Sequence, residues 1–277
     1  MIGLALLLAA ATGGCNPVPG ASSLLADPRT TYFFVGETHG TVETPAIFAD
    51  LVCAASLKRK VVVAIEQNPN QQPAIDAYLA SDGGADARAA FLRSPIWTSA
   101  FKDGRSSQSM LAMIERLRVL KASGRIAGIR GFQVPADARA GEDFNARINR
   151  GMAEELARIA ADNPGALVMI LTGSVHASKA PIRFGGSTLI VPAAARLPAA
   201  RTVSILADGE DGTAWNCSGP ATCGAGPWRS AAKGPKRMIL KPRVLIDGAE
   251  DGGLFDATVD VGAPFTASPP VIPAPAK

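Results

Sequence analysis

The chain carries only two histidines, His39 and His176, so any imidazole chemistry must use one or both of them. They share a pattern: Gly36-Glu37-Thr38-His39 follows the apolar run 31–35, and Gly173-Ser174-Val175-His176 follows the apolar run 166–172. Glu66 ends a third such run, 61–65. Imidazoles and carboxylates at strand ends can work in two ways. In the first, His39, His176 and a carboxylate from Glu37 or Glu66 hold a divalent metal (Zn, Mn, Co or Fe) whose open position carries a water of lowered pKa. In the second, His39 or Glu66 acts as general base on water while the other histidine and Glu37 orient it or stabilise an oxyanion. Both lead to hydrolysis, with Glu37, His39, Glu66 and His176 as the catalytic set. The plainer alternative for Glu37 and Glu66 is a helix-terminus contact or an ion pair with a buried arginine.

The elements that must position these groups read as α/β. The run 31–35 is β-branched and aromatic, and 61–65 is continuously apolar, as expected of a strand buried on both faces. Further strands are expected at 126–132, 166–171, 189–191, 202–206 and 238–240. Helical spacing of apolar residues covers the stretch from Thr44, read as an N-cap before Pro45, to 58–60, and also 72–80, 108–122 and 143–161. Alternation of this kind implies a mainly parallel sheet flanked by helices, with an irregular C-terminal extension. Ligands of such sheets bind beyond the carboxyl ends of the strands, where all three polar clusters fall. Trp97 and Ser106-Ser107 are candidate pocket walls, with Trp97 better suited to the core.

At 277 residues, 47% apolar and 19% charged, the chain can bury a sizeable core, which excludes a mostly disordered scaffold. Its net charge of +4 is too small to imply nucleic-acid binding. Nucleophile-elbow, Walker, zincin and Rossmann patterns are missing from the sequence. The stretch Arg229, Lys233, Lys236, Arg237, Lys241, Arg243 is basic and reads as a solvated or membrane-facing surface.

Residues 2–12 form an apolar run too short to span a bilayer, ending in Thr12-Gly13-Gly14-Cys15. They are expected to be the core of a signal segment, 1–15, with Cys15 as a lipid-attachment site. This places the protein in a bacterial cell envelope, facing the periplasm as a lipoprotein or secreted, with the membrane as a partner through the anchor. Cys217 and Cys223 enclose a Gly/Pro-containing loop and are expected to form a disulfide, while Cys53 reads as a core residue. One domain is expected over 28–265, followed by a Pro-rich extended tail, 266–277.

Gly36-Glu37-Thr38-His39-Gly40-Thr41-Val42-Glu43, the strand-end Glu66 and the second Gly-x-x-His together resemble the superfamily of erythromycin esterases, ChaN-like haem-uptake lipoproteins and Tiki/TraB proteins. The resemblance covers roughly residues 30–180, with the ChaN-like branch nearest. Asn149-Arg150-Gly151-Met152-Ala153 is similar to the Arg-x-x-Met-Ala helix start of relatives, with Arg147 or Arg150 in the arginine's place. Ile129-Arg130-Gly131-Phe132-Gln133 is similar to their Gly-Phe-Asp strand end, with Gln133 replacing the acid. The resemblance implies an envelope-anchored hydrolase-like protein acting on a small-molecule or peptide substrate, with Glu43 and Arg150 as substrate contacts. Its alternative implication is a carrier of haem or iron, for which Tyr32 and Tyr78 are the only available phenolates.

Overall fold

The computed structural model describes residues 14–184, 188–219, 222–229, 243–245 and 253–273. In chain order the elements are α1 (Ala21–Leu25), β1 (Tyr32–Glu37), α2 (Glu43–Ser56), β2 (Val61–Ile65), α3 (Gln72–Ala80), α4 (Ala85–Phe91), α5 (Pro95–Thr98), α6 (Gln108–Ala122), β3 (Ile129–Gly131), α7 (Phe144–Asp162), β4 (Leu167–Gly173) and α8 (Ser174–Ala177). Then come β5 (Ile182–Phe184), β6 (Thr188–Ile190), β7 (Thr202–Glu210), β8 (Gly212–Cys217), β9 (Cys223–Trp228), β10 (Arg243–Leu245) and β11 (Ala257–Pro264). The expected strand 238–240, the apolar run 2–12 and Lys233, Lys236, Arg237 and Lys241 lie outside the described residues.

The main sheet runs β10-β11-β7-β1-β4-β2-β3, all parallel except the antiparallel edge strand β10. β1, β2 and nearly all of β4 are buried on both faces, which is why their sequences are continuously apolar. Their alternating side chains feed two cores. Phe33, Val35, Val63, Ile65, Met169 and Leu171 pack with residues of α2, α3 and α6, whereas Phe34, Val62, Ala64, Val168 and Ile170 pack with Met152, Leu156 and Ile159 of α7. The chain steps from β1 to β2 and β3, returns through β4 between β1 and β2, and then crosses to β7 on the other side of β1. In sheets with such a reversal, ligands bind beyond the carboxyl ends of the strands, here those of β1, β4 and β2.

Two helix starts are capped by side chains: Ser107 Oγ accepts the Met110 N–H ahead of α6, and Asp143 Oδ1 accepts the Ala146 N–H ahead of α7. α2 differs from the Thr44 expectation. Val42 is already helical (φ −76°, ψ −40°) because its N–H is held by Thr266 O, so the helix starts at Glu43, and Thr44 Oγ1 accepts from Thr41 Oγ1 inside it. α4 had no apolar period to reveal it: only Phe91 of its residues is buried.

The C-terminal segment is extended as expected but is not a loose tail. Ser268 N–H bonds to Gly40 O, Gln108 N–H to Pro269 O and Val271 N–H to Ser106 O, so residues 266–271 strap the His39 loop to the start of α6. Cys217 and Cys223 are joined in a disulfide at the end of the β8–β9 hairpin. Cys53 is buried but is not a free core thiol, since it is bonded to Cys15. One sulfur cannot be both a disulfide and a lipid thioether, so the crosslink of Cys15 to α2 and the expected lipid attachment compete for the same atom. No helix of the described residues is long and apolar enough to cross a membrane.

Candidate active site

Glu37 closes β1, Glu66 follows β2, and Thr172 and Gly173 close β4, so three neighbouring strands deliver their ends to one point. His39 rises from the loop after β1, and His176 from α8, the single turn of helix that follows β4. The structure thus brings Glu37, His39, Glu66 and His176 together.

Glu66, 5% exposed, is the hub. Its Oε2 accepts from Thr172 Oγ1 (2.6 Å) and Gly173 N–H (2.8 Å), and its Oε1 from Gln133 Nε2 (3.1 Å) and Arg105 Nη1 (3.3 Å). His39 Nε2 stands 3.5 Å from Oε2 and His176 Nε2 stands 3.9 Å from Oε1. Burial pushes the Glu66 carboxyl up, but His39, His176 and Arg105 outweigh it and hold the group well below the usual range. Glu66 is an anion.

The two histidines differ in charge. His39 Nδ1–H donates to Glu37 Oε1 at 2.9 Å while Nε2 faces Glu66. Burial would lower the imidazole's pKa, yet the Glu66 charge and the Glu37 hydrogen bond reverse this and lift it to about 10. His39 is an imidazolium at neutral pH. His176 lacks so close an anion; burial dominates, and its pKa falls below 6.5. It is neutral. Asn149 sets its tautomer: Asn149 Nδ2 donates to Asn145 O and Oδ1 accepts the Ala193 N–H, so the same Oδ1 must accept a proton from His176 Nδ1, 2.8 Å away. This leaves a lone pair on His176 Nε2, with no hydrogen bond to Glu66 at 3.9 Å.

Two glycines let the backbone close on this cluster. Gly40 has φ +75°, and a Cβ there would lie 2.2 Å from Trp215 O; Trp215 N–H donates to Gly40 O. A Cβ on Gly173 would sit 3.1 Å from His39 Nε2 and 3.6 Å from Glu66 Oε2. Trp228 Nε1 donates to Thr38 Oγ1, so the β8–β9 hairpin grips the His39 loop at two points.

The two expected substrate contacts are engaged elsewhere. Glu43 Oε2 accepts the Thr266 N–H, fastening the C-terminal strap. Arg150 pairs with Glu142 (2.6 Å) and Glu154 (3.2 Å) and donates to Asp137 O, holding the loop before α7. Trp97 is fully buried, edge-on to Phe91. No sequence signal assigned a role to Arg105, Asn149, Thr172 or the Gly173 N–H. Arg105 directly precedes Ser106-Ser107, and Asn149 directly precedes Arg150.

The donors expected to hold a metal are engaged with one another in this structure: Glu66 accepts four hydrogen bonds, one of them from Arg105, and both histidines turn Nε2 towards it. Among the described residues no group of three or more His, Cys, Asp or Glu side chains is placed to hold a metal ion. The two tyrosines considered as haem ligands are buried: Tyr32 lies within β1, and Tyr78 stacks on Phe91 and donates to Glu115.

No protein-family profile matches the sequence, and no curated protein matches it. Solved structures do match. A mutant of the erythromycin esterase EreC in its open conformation shares 12% identity, covering 89% of this chain and 93% of its own with a TM-score of 0.62. The fold is that of the erythromycin esterases. A succinoglycan biosynthesis protein matches with the same TM-score, 0.62, at 12% identity over 89% of this chain and 90% of its own. ChaN of Campylobacter jejuni, solved with cofacially bound haem, aligns with a TM-score of 0.42 at 13% identity, over 67% of this chain and 85% of its own. These likenesses, at 12% identity, show the fold: a mainly parallel sheet flanked by helices, as in the esterase structure.

Proposed function

We propose that the chain is a hydrolase that cleaves an ester or related acyl bond by water activation between its two histidines, without a metal. The observation that carries the reading is the placement of a protonated His39 and a neutral His176 on either side of one buried carboxylate, Glu66. Environments that push two titratable groups apart assign acid and base.

In this reading His176 Nε2 takes a proton from a water, whose oxygen attacks the acyl carbon. The carbonyl oxygen gains negative charge and is met by the His39 Nε2–H, held by Glu66 only at the 3.5 Å limit of a hydrogen bond and therefore available. Collapse of the tetrahedral species expels the leaving oxygen, which takes its proton from the His176 imidazolium and restores neutral His176. Arg105 and Glu66 keep His39 in register. Glu37 Oε1 accepts the His39 Nδ1–H and keeps the ring turned with Nε2 towards the reacting groups. Two disulfides support residence in an oxidising compartment such as a bacterial periplasm.

The test is a screen of ester, amide and peptide substrates on protein purified without added metal, alongside His39→Gln and His176→Gln. Either variant is expected to lose roughly a hundredfold to ten-thousandfold in kcat, and chelator treatment is expected to change nothing. Full activity in either variant would overturn the site. A haem titration run in parallel separates the rival carrier reading, which requires a Soret shift that the histidine variants abolish.

A further inference from the structure

The loops leading into the parallel strands gather at the end of the sheet opposite the site. Backbone bonds knit them together: Leu167 N–H to Lys60 O (2.9 Å), Thr31 N–H to Arg201 O (2.9 Å) and Ala127 N–H to Val61 O (2.7 Å). Their charges are one-sided. Residues 26–31, 57–60, 121–128, 163–166 and 198–201 hold seven cations, Arg29, Lys58, Arg59, Lys60, Lys121, Arg125 and Arg201, against the single acid Asp27. Asp27 is already paired with Arg29, and Asp162, at the end of α7, with Arg158. Lys58, Lys60 and Lys121 are exposed and have no acidic partner among the described residues.

Apolar side chains stand exposed beside these cations. Leu57, just past α2, is 69% exposed, and Val119, in the last turn of α6, is 52% exposed. The chain also arrives here: Cys15 is bonded to Cys53 near the end of α2, and Arg125 Nη2 donates to Cys53 O and Cys15 Sγ. The residues before this point, 2–12, are an uncharged apolar run. Cations interleaved with apolar residues, at the place where an apolar segment joins the fold, match the chemistry of a bilayer surface.

We propose that this end of the molecule rests on an anionic lipid surface, with Lys58, Lys60 and Lys121 against headgroup phosphates and Leu57 and Val119 at the headgroup level. The His39–His176 site then faces away from the bilayer, open to solutes on that side of the membrane.

The experiment is sedimentation of the full chain with vesicles of phosphatidylglycerol and phosphatidylcholine, compared with vesicles of phosphatidylcholine alone. The apolar N-terminal segment contributes to both, so the ratio of the two partition constants isolates the basic face. At about 0.1 M salt the ratio is expected to be large, falling towards one near 1 M salt because surface charge is screened. The triple variant Lys58→Glu, Lys60→Glu, Lys121→Glu is expected to lower it by about a hundredfold or more, since each surface cation contributes roughly fivefold. Arg229→Glu, on the β8–β9 hairpin at the other end, is expected to leave it unchanged. A ratio near one at low salt, a triple variant that binds like wild type, or binding to a DNA duplex with none to the anionic vesicles would each overturn the proposal. The wild-type salt titration decides the matter even if the triple variant fails to fold.

Discussion

His176 Nδ1 lies 2.8 Å from Asn149 Oδ1, and that one contact sets which nitrogen of the imidazole is free to accept a proton. The amide is fixed on both sides, by Asn145 O and by the Ala193 N–H, so it cannot turn to suit the other tautomer without breaking both bonds. Asn149 therefore acts through His176 as a positioning residue. Asn149→Ala is expected to lower kcat by about tenfold to a hundredfold, less than loss of the base itself. Asn149→Asp places a carboxylate on Nδ1 and is expected to move the acidic limb of the pH–rate profile upward. A role confined to helix packing would lower stability in both variants and leave that limb in place.

The charges of the two histidines fix the shape of the profile. The base His176 is competent once pH exceeds its lowered pKa, below 6.5, and the acid His39 stays competent until about 10. The rate is expected to rise through the weakly acidic range, hold a broad plateau across neutrality and fall near pH 10. Stability follows His39 with a definite sign. Its folded-state pKa is raised, so its contribution is fully present below about 6.5 and is lost as pH rises towards 10. Urea denaturation between pH 7 and 10 is expected to show stability falling by up to about 1.4 kcal/mol per pH unit, the limit for one proton. His39→Gln removes that slope; a slope that survives in the variant belongs to another group.

Gly173 offers a test of spacing that leaves every functional group in place. A Cβ there would press on His39 Nε2 at 3.1 Å and approach Glu66 Oε2 at 3.6 Å. Gly173→Ala is expected to displace His39 by a few tenths of an ångström and to lower kcat by roughly tenfold, with KM little changed, because positioning losses fall on the reacting geometry. Gly124→Ala, at a helix end with nothing near its Cβ position, serves as the comparison: its φ of +73° costs stability, but activity is expected to hold.

What made the sheet legible was burial on both faces. The runs 31–35 and 61–65 announce themselves because every side chain meets a core, and His39, Glu66 and His176 were found by standing at the ends of such runs. Arg105 gave no such signal. It comes from a loop between α5 and α6 whose path depends on the strap, through the Val271 N–H to Ser106 O and Gln108 N–H to Pro269 O bonds, contacts across more than a hundred residues that no local pattern encodes. Glu43 and Arg150 show the converse. Their sequence neighbourhoods resemble functional ones, but a carboxylate in the first turn of α2 and a guanidinium in α7 found nearer partners in Thr266 and Glu142. Cys15 posed a choice of chemistry that sequence alone could not make, because its partner Cys53 sits within an apolar helical pattern 38 residues away.

The Cys15–Cys53 crosslink makes a prediction that the lipid reading denies. If Cys15 Sγ is bonded to Cys53, non-reduced protein from native cells is expected to yield a crosslinked peptide pair containing both residues, and thiol alkylation before reduction is expected to label neither. Reduction should then expose two thiols and loosen the attachment of residues 15–25, whose Val18, Ala21 and Leu25 pack into the core beside α2. Closing a loop of this length stabilises a fold by about 3–4 kcal/mol in the chain-entropy account, so Cys53→Ser is expected to lower Tm measurably while sparing the site at the opposite end of the sheet. Acylation predicts the reverse pattern: a Cys15 peptide carrying a lipid mass, a Cys53 thiol that alkylates without reduction, and no change in Tm on adding reductant beyond that caused by opening Cys217–Cys223. Because the two chemistries compete for one sulfur, the peptide masses alone decide between them.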